Sequence, residues 1–261
     1  MPGSLVSLRL VVRSAIAPLH AEARVSSAQT SQRLAGHALE VLEERDGDWL
    51  RVRGEDGYEG WVHRGYTRPA PEALGGGGAD DRRLSLGCTA GRPDGRRRAL
   101  PLGAWLEPDE TLHEGAVMPG AEMASAFRRD PEAIAGSAAT LFDGTSYLWG
   151  GVTTWGADCS GFVQTIFWLH GVPLPRDAWQ QAELGRDAGT DVRALRPADL
   201  LFFSDRPDRR ITHVGVALGG GRMGHVALGR GGYACEQLTS AGGDPYVAKL
   251  VERFVSARRV V

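Results

Sequence analysis

Tyr147-Leu148-Trp149-Gly150-Gly151-Val152-Thr153-Thr154-Trp155-Gly156-Ala157-Asp158-Cys159-Ser160-Gly161-Phe162 is the stretch on which the reading of this chain turns. A glycine-rich aromatic run ends in a tight polar turn, Gly156-Ala157-Asp158, and an apolar run from Ser160 to Leu169 follows, stopping at His170-Gly171. The spacing predicts a helix over that run, with Asp158 as N-cap and Cys159 in the first turn. In such a place the helix dipole and a nearby imidazole lower a thiol pKa from ~8.5 into the range ~3.5–7.5. An isolated free cysteine is more often a structural core residue. Gly, Asp, Ser and Gly packed around Cys159 favour a nucleophile instead.

A thiol nucleophile needs a base that reaches it in space rather than in sequence. His213 follows the loop Asp205 to Thr212 and opens an apolar strand, Val214 to Leu218. A histidine on the rim of a sheet is well placed to face a helix N-terminus. His225 lies on the next apparent strand, where it could orient the His213 ring. His20, His37, His63, His113 and His170 read as solvated or packed residues.

Upstream, Ala121 to Phe127 and Pro131 to Phe142 have helical spacing, with Asp130 as N-cap and Pro131 at the first helical position. Downstream, three strands are expected at Leu200 to Phe203, His213 to Leu218 and Arg222 to Val226. Helix first and antiparallel strands afterwards make residues 119–261 an α+β domain. Residues 1–74 read differently, as a small β domain with short strands at Leu8 to Val12, His37 to Glu43, Trp49 to Arg53 and Gly60 to His63. Gly75-Gly76-Gly77-Gly78 and the charged residues to Asp81 are expected to be a linker over 75–81. Residues 82–118 alternate again and are expected to form a second, degenerate β domain.

The bulk numbers exclude several classes. Hydrophobic residues make up 42% and charged residues 24%, as in an ordinary globular protein. A formal net charge of -2 gives no reason to expect a nucleic-acid partner. No apolar run reaches the ~20 residues of a membrane span. Three cysteines, Cys88, Cys159 and Cys235, indicate no disulfide framework and best fit a reducing compartment. There is no Cys-x-x-Cys pair and no His-x-x-x-His, so no metal and no cofactor is expected. Arginines interrupt the apolar start Leu5 to Arg13, which reads as a first strand rather than a secretory signal. The expected location is therefore cytoplasmic, although a chain that had lost a leader would read identically. Oligomeric state is not legible.

Six ordered motifs over residues 130–235 carry a resemblance: Y-L-W-G-G at 147–151, D-C-S-G-F-V at 158–163, P-R-D-A-W-Q-Q at 175–181, R-P-A-D-L-L-F-F at 196–203, I-T-H-V-G-V-A-L at 211–218, and the later His225. The region resembles the NlpC/P60 family of cell-wall cysteine peptidases, which have a papain-like fold. Residues 8–68 resemble bacterial SH3 domains through Gly47-Asp48-Trp49-Leu50-Arg51-Val52 and Gly57-Tyr58-Glu59-Gly60-Trp61-Val62. The fold class this implies is α+β, a papain-like catalytic domain preceded by one or two small SH3-like β-barrels. The resemblance implies Cys159 as nucleophile, His213 as general base and His225 as the residue that holds the base. It also implies an oxyanion site made by the Cys159 N–H and the Tyr147 phenol.

The architecture further resembles γ-D-glutamyl-L-diamino acid endopeptidases that require a free N-terminal L-alanine, where the SH3 domain closes one end of the cleft. On that resemblance the substrate is a peptidoglycan-derived stem peptide, cut after γ-D-glutamate, and released peptides rather than intact wall are expected. Asp158 and Ser160 match residues that hold the substrate ammonium, and Trp149 is placed with the substrate-binding set. Asp177 matches the aspartate of the family's P-R-D-S stretch, but Ala178 replaces its serine. Tyr58 is the candidate that reaches the cleft from the SH3 domain, or it is plain barrel packing. The acidic partner there has no clear match; Gln32 occupies a plausible position, with Glu40 and Glu43 nearby. Two other readings stay open: an exported hydrolase of intact wall, and a non-catalytic peptidoglycan-binding protein.

Overall fold

The computed structural model describes residues 8–70, 82–239 and 243–261, so the expected linker at 75–81 lies outside the described residues. The chain divides into two compact units, residues 1–122 and 123–261.

In the first unit, β1 (Arg9–Val12), β2 (Ile16–His20), β3 (Gln29–Leu34), β4 (Ala38–Arg45), β5 (Trp49–Gly54), β6 (Glu59–His63) and β7 (Thr67–Pro69) form one curled sheet. Its order is β3-β2-β6-β5-β4-β1-β7, with antiparallel pairing. The two-residue period sets the faces. In β5, Leu50 and Val52 are buried while Arg51 and Arg53 are exposed. Leu10, Val12, Ala17, Leu19, Leu39, Leu50, Val52 and Val62 fill the concave side. This is the half-barrel of an SH3-like domain. Strands β2, β3 and β7 were not expected, because Pro18 and the polar run Gln29 to Arg33 hide the alternation.

Residues 82–119 do not close a second barrel. They form a three-stranded sheet, β10-β8-β9, from β8 (Arg83–Gly91), β9 (Arg97–Leu100) and β10 (Thr111–Pro119). The alternating run after Leu100 is a buried turn through Gly103, which has φ +91°. The turn is tied to the curled sheet: Trp105 N–H donates to the Ala35 carbonyl at 2.9 Å. Gly36, at φ +77°, makes room for this, since a Cβ there would lie 2.6 Å from Trp105 Cβ.

The second unit runs α1 (Met123–Ala126), α2 (Pro131–Thr140), β11 (Val152–Thr153), β12 (Gly156–Ala157), α3 (Cys159–Leu169), α4 (Ala178–Gln181), β13 (Arg186–Asp187), β14 (Leu200–Phe203), β15 (His213–Gly219), β16 (Arg222–Ala227), β17 (Gly232–Gln237), α5 (Pro245–Glu252) and β18 (Phe254–Arg259). Six strands, in the order β13-β18-β14-β15-β16-β17, make its main sheet, where the sequence led us to expect three. Both faces are covered, which explains the uninterrupted apolar run Leu200 to Phe203. Leu200, Phe202, Val214 and Val216 pack with α2 and α3 through Ile134, Phe162 and Ile166. Leu201, Phe203, Ala217 and Met223 pack with α5 through Val247 and Leu250. The result is an α+β domain whose central helix, α3, starts at Cys159. Among the described residues no helix is long and apolar enough to cross a membrane.

Candidate active site

The short hairpin of β11 and β12 feeds the chain into α3. Asp158 caps that helix: its Oδ1 accepts from the Gly161 N–H at 2.8 Å, and its Oδ2 accepts from the Gly150 N–H at 2.9 Å. Two glycines allow the close approach. A methyl at Gly161 would collide with the Gly151 carbonyl oxygen, and one at Gly151 with the Gly156 carbonyl oxygen. Arg176, buried in the loop before α4, completes the turn. Its Nη1 and Nη2 donate to the two Asp158 oxygens at 3.0 and 2.7 Å, and Nη1 also donates to Ser160 Oγ at 2.8 Å. A bidentate, buried pair of this kind fixes geometry as well as charge. In the sequence Arg176 is visible only within P-R-D-A-W-Q-Q, where its spacing assigns it no role.

Cys159 is the first residue of α3, and its sulfur accepts from the backbone N–H groups of Val214 and Ser160. The thiol therefore lies at the start of β15, beside His213. His213 Nε2 is 2.8 Å from His225 Nδ1, and the two rings meet edge to face with centroids 5.0 Å apart. His225 is completely buried, whereas Cys159 and His213 keep an accessible edge. Tyr147 packs against the same core, and its phenol is electrostatically coupled to Cys159 and Asp158. Its backbone is fixed on both sides, by a bridge to Ala157 and by donation to the Gly231 carbonyl at 2.9 Å.

The electrostatics differ from the expected resting thiolate. Burial, reinforced by the Asp158 charge, pushes the Cys159 thiol up to about 12 despite the two N–H donors and Arg176. Burial, with the neighbouring His225, pushes His213 down to about 3. Both shifts favour a neutral thiol beside a neutral imidazole, because low polarisability around the pair penalises each charge. The helix dipole is outweighed here by desolvation and by the carboxylate one residue away. Burial also pushes the Tyr147 phenol up to about 12, so it stays a hydrogen-bond donor across the neutral range.

The second unit thus gathers Cys159, His213, His225, Tyr147, Asp158 and Ser160. Both Asp158 and Ser160 are buried and already bonded to Arg176. Trp149 is 65% exposed, beside exposed Leu148 and Trp155. Asp177 stands half-buried at the N-cap of α4 and is bonded through its N–H to Gln180 Oε1 at 3.4 Å. Tyr58 belongs to the first unit, where its side chain packs on the core. Among the remaining histidines, His170 is bonded to the Arg128 carbonyl and Ser137, His20 to the Ser27 carbonyl and His37 to the Gly103 carbonyl. Glu236 and Arg230, next to His225, escaped the sequence reading altogether.

Comparison with known proteins agrees with this fold and domain order. Residues 144–251 match the NlpC/P60 family model and residues 16–68 the bacterial SH3 domain model. The chain carries an NlpC/P60 domain preceded by a bacterial SH3 domain. Among individual relatives, the gamma-D-glutamyl-L-lysine dipeptidyl-peptidase of Bacillus subtilis is 45% identical over 86 residues, which is 33% of this chain and 28% of that protein. The Bacillus cereus protein of the same name is 27% identical over 262 residues, 88% of this chain and 74% of that one. The crystal structure of an NlpC/P60 family protein from Bacillus cereus has the same fold, with a TM-score of 0.73 at 18% identity, covering 97% of this chain and 99% of that one.

Proposed function

We propose that the protein is a cysteine peptidase that hydrolyses the γ-D-glutamyl-diamino acid bond of released peptidoglycan stem peptides with a free N-terminal L-alanine. The observation that carries the peptidase reading is Cys159 at the start of α3, beside the first residue of β15, where His213 is backed by His225. The substrate reading rests on the domain order and on the relatives' names.

In this mechanism the Cys159 proton passes to His213 as the sulfur attacks the peptide carbonyl. The backbone N–H of Cys159, unpaired within the helix as a first-turn donor, and the Tyr147 phenol receive the developing oxyanion. His213 returns its proton to the leaving amine, and water then hydrolyses the thioester. Asp158 and Ser160 are the residues assigned to the substrate ammonium, and Asp177, half-buried at the N-cap of α4, belongs to the wider substrate-binding set. Asp158 already accepts from Gly150, Gly161 and Arg176, so it acts on an arriving cation through its field rather than a new hydrogen bond. A site that pairs an ammonium with carboxylates rejects an acylated amine, which leaves them unpaired. Trp149 completes the proposed binding set within the second unit. We place the activity in the cytoplasm, which the three free thiols fit.

Incubation with intact sacculi and, separately, with free tripeptide tests this reading. Cleavage of the tripeptide alone is expected. Comparable release from sacculi identifies an exported wall hydrolase instead, and no cleavage of either leaves a binding protein.

A further inference from the structure

Behind the two histidines lies a buried carboxylate that the mechanism above does not use. β17 runs antiparallel to β16 with Ala234 opposite His225 and Glu236 opposite Met223, so Glu236 and His225 are diagonal neighbours on one face. Glu236 is 6% exposed, and its Oε1 is 3.5 Å from His225 Nε2, a buried nitrogen that makes no hydrogen bond among the described residues and has this carboxylate as its charged neighbour. Arg230 grips the carboxylate, donating from Nε to Oε1 at 2.6 Å and from Nη2 to Oε2 at 3.1 Å. Arg230 is held in turn by Asp244 at 2.5 Å and lies over the Tyr246 ring, which also abuts His225. Among the described residues, His225, Arg230, Tyr246, Asp244 and the neighbouring Cys235 are thus the titratable and charged groups around Glu236. The His225 ring and the Arg230 guanidinium hold its carboxyl down to about 2, so it is ionised at every working pH.

An ionised carboxylate can only accept a hydrogen bond. Facing it, His225 Nε2 must carry the proton, which leaves His225 Nδ1 bare. His213 Nε2, 2.8 Å away, must then be the donor of the pair. The remaining nitrogen of His213, Nδ1, is left with its lone pair. The opposite tautomers would set two acceptors against each other at a buried site and place a proton on the nitrogen that has to receive one. Because the resting His213 ring is neutral, its tautomer is a real degree of freedom that something must fix.

We propose that Glu236 is a positioning residue that, through His225, fixes the tautomer of His213 so that Nδ1 is the base for the Cys159 thiol. This rests on the peptidase reading of Cys159 and His213. In the attack step the thiol proton moves from Sγ to His213 Nδ1, and the new imidazolium keeps donating from Nε2 to His225. No proton travels further, and the same proton leaves Nδ1 with the amine. Glu236 stays ionised throughout and opposes the positive charge as it forms.

Long-range 1H–15N correlation on histidine-labelled full-length protein near neutral pH tests this directly. Both His213 and His225 are expected as Nε2–H tautomers; His225 observed as Nδ1–H overturns the proposal. This readout needs no substrate, so it is separate from the peptidase reading, which fails if wild-type protein leaves the peptide uncut. Glu236→Gln provides the second test, because an amide turned to satisfy Arg230 no longer dictates the His225 proton. It is expected to populate the Nδ1–H tautomer and lower kcat about 10–100-fold with KM unchanged. An E236Q protein with unaltered tautomers and unaltered kcat overturns the proposal, and if E236Q does not fold the wild-type tautomers decide.

Discussion

Replacing Arg176 by methionine should cost the catalytic unit a large part of its stability, for a reason visible in the turn that presents Cys159. The substitution keeps a long apolar side chain and removes three hydrogen bonds, two to Asp158 at 3.0 and 2.7 Å and one to Ser160 at 2.8 Å. Asp158 is 6% exposed, so its charge would be left in the interior without a counter-charge, held only by neutral donors such as the Gly150 and Gly161 N–H groups. Breaking a buried pair in this one-sided way costs about 3–5 kcal/mol. For a domain of this size each kcal/mol lowers Tm by roughly 3–4 °C, so a fall of about 10–20 °C is expected. Differential scanning calorimetry at neutral pH reads it, on the transition of the catalytic unit. The double variant Asp158→Asn with Arg176→Met should recover part of the loss, since no lone charge remains. An R176M protein melting within about 2 °C of wild type would refute the reasoning, because the pair would then contribute nothing that water cannot replace.

Other outcomes follow from the same geometry. Tyr147→Phe should lower kcat by about 10²–10³ with little change in KM, as expected for loss of one oxyanion donor; unchanged turnover on stem peptide removes Tyr147 from the site. Because burial raises the Cys159 thiol from 9.0 to about 12, iodoacetamide alkylation should keep accelerating as pH rises above 9.0, and a plateau below neutrality would reveal a resting thiolate instead. Stability should follow the pair in both directions. The unfolded chain protonates His213 below 6.5 while the folded chain waits until about 3, so stability is lost as pH falls through that window. The thiol loses stability in the mirror direction, as pH rises from 9.0 towards 12. Gly161→Ala should depress Tm and activity together, since its methyl meets a backbone carbonyl that cannot move aside, and thermal melting alongside turnover checks it.

How much of this was readable from the chain varies with the physics involved. The α3 start was legible because capping is local: an aspartate ahead of an apolar run needs nothing distant to act. His213 and His225 were legible because each opens or occupies a short, continuously apolar strand of a sheet covered on both faces. The thiol's resting state was not, because desolvation depends on what folds around it, here the start of β15 and the Asp158 charge. Arg176 sits 18 residues beyond Asp158, and nothing in the spacing says the two meet. Glu236 was hidden for a different reason. Strand β17, Gly-Tyr-Ala-Cys-Glu-Gln, lacks apolar alternation, so neither the strand nor its register against β16 could be read. The same applies to residues 82–119, whose alternating run after Leu100 turns out to be a buried turn that completes the first unit.

The most direct test of the account is mass spectrometry of the products from L-Ala-γ-D-Glu-diamino acid peptides, with the alanine amine free or acylated. The wild-type protein should release L-Ala-γ-D-Glu from the free peptide and leave the acylated one intact, and Cys159→Ala should leave both intact. Equal cleavage of the two peptides, or cleavage that survives C159A, would contradict it.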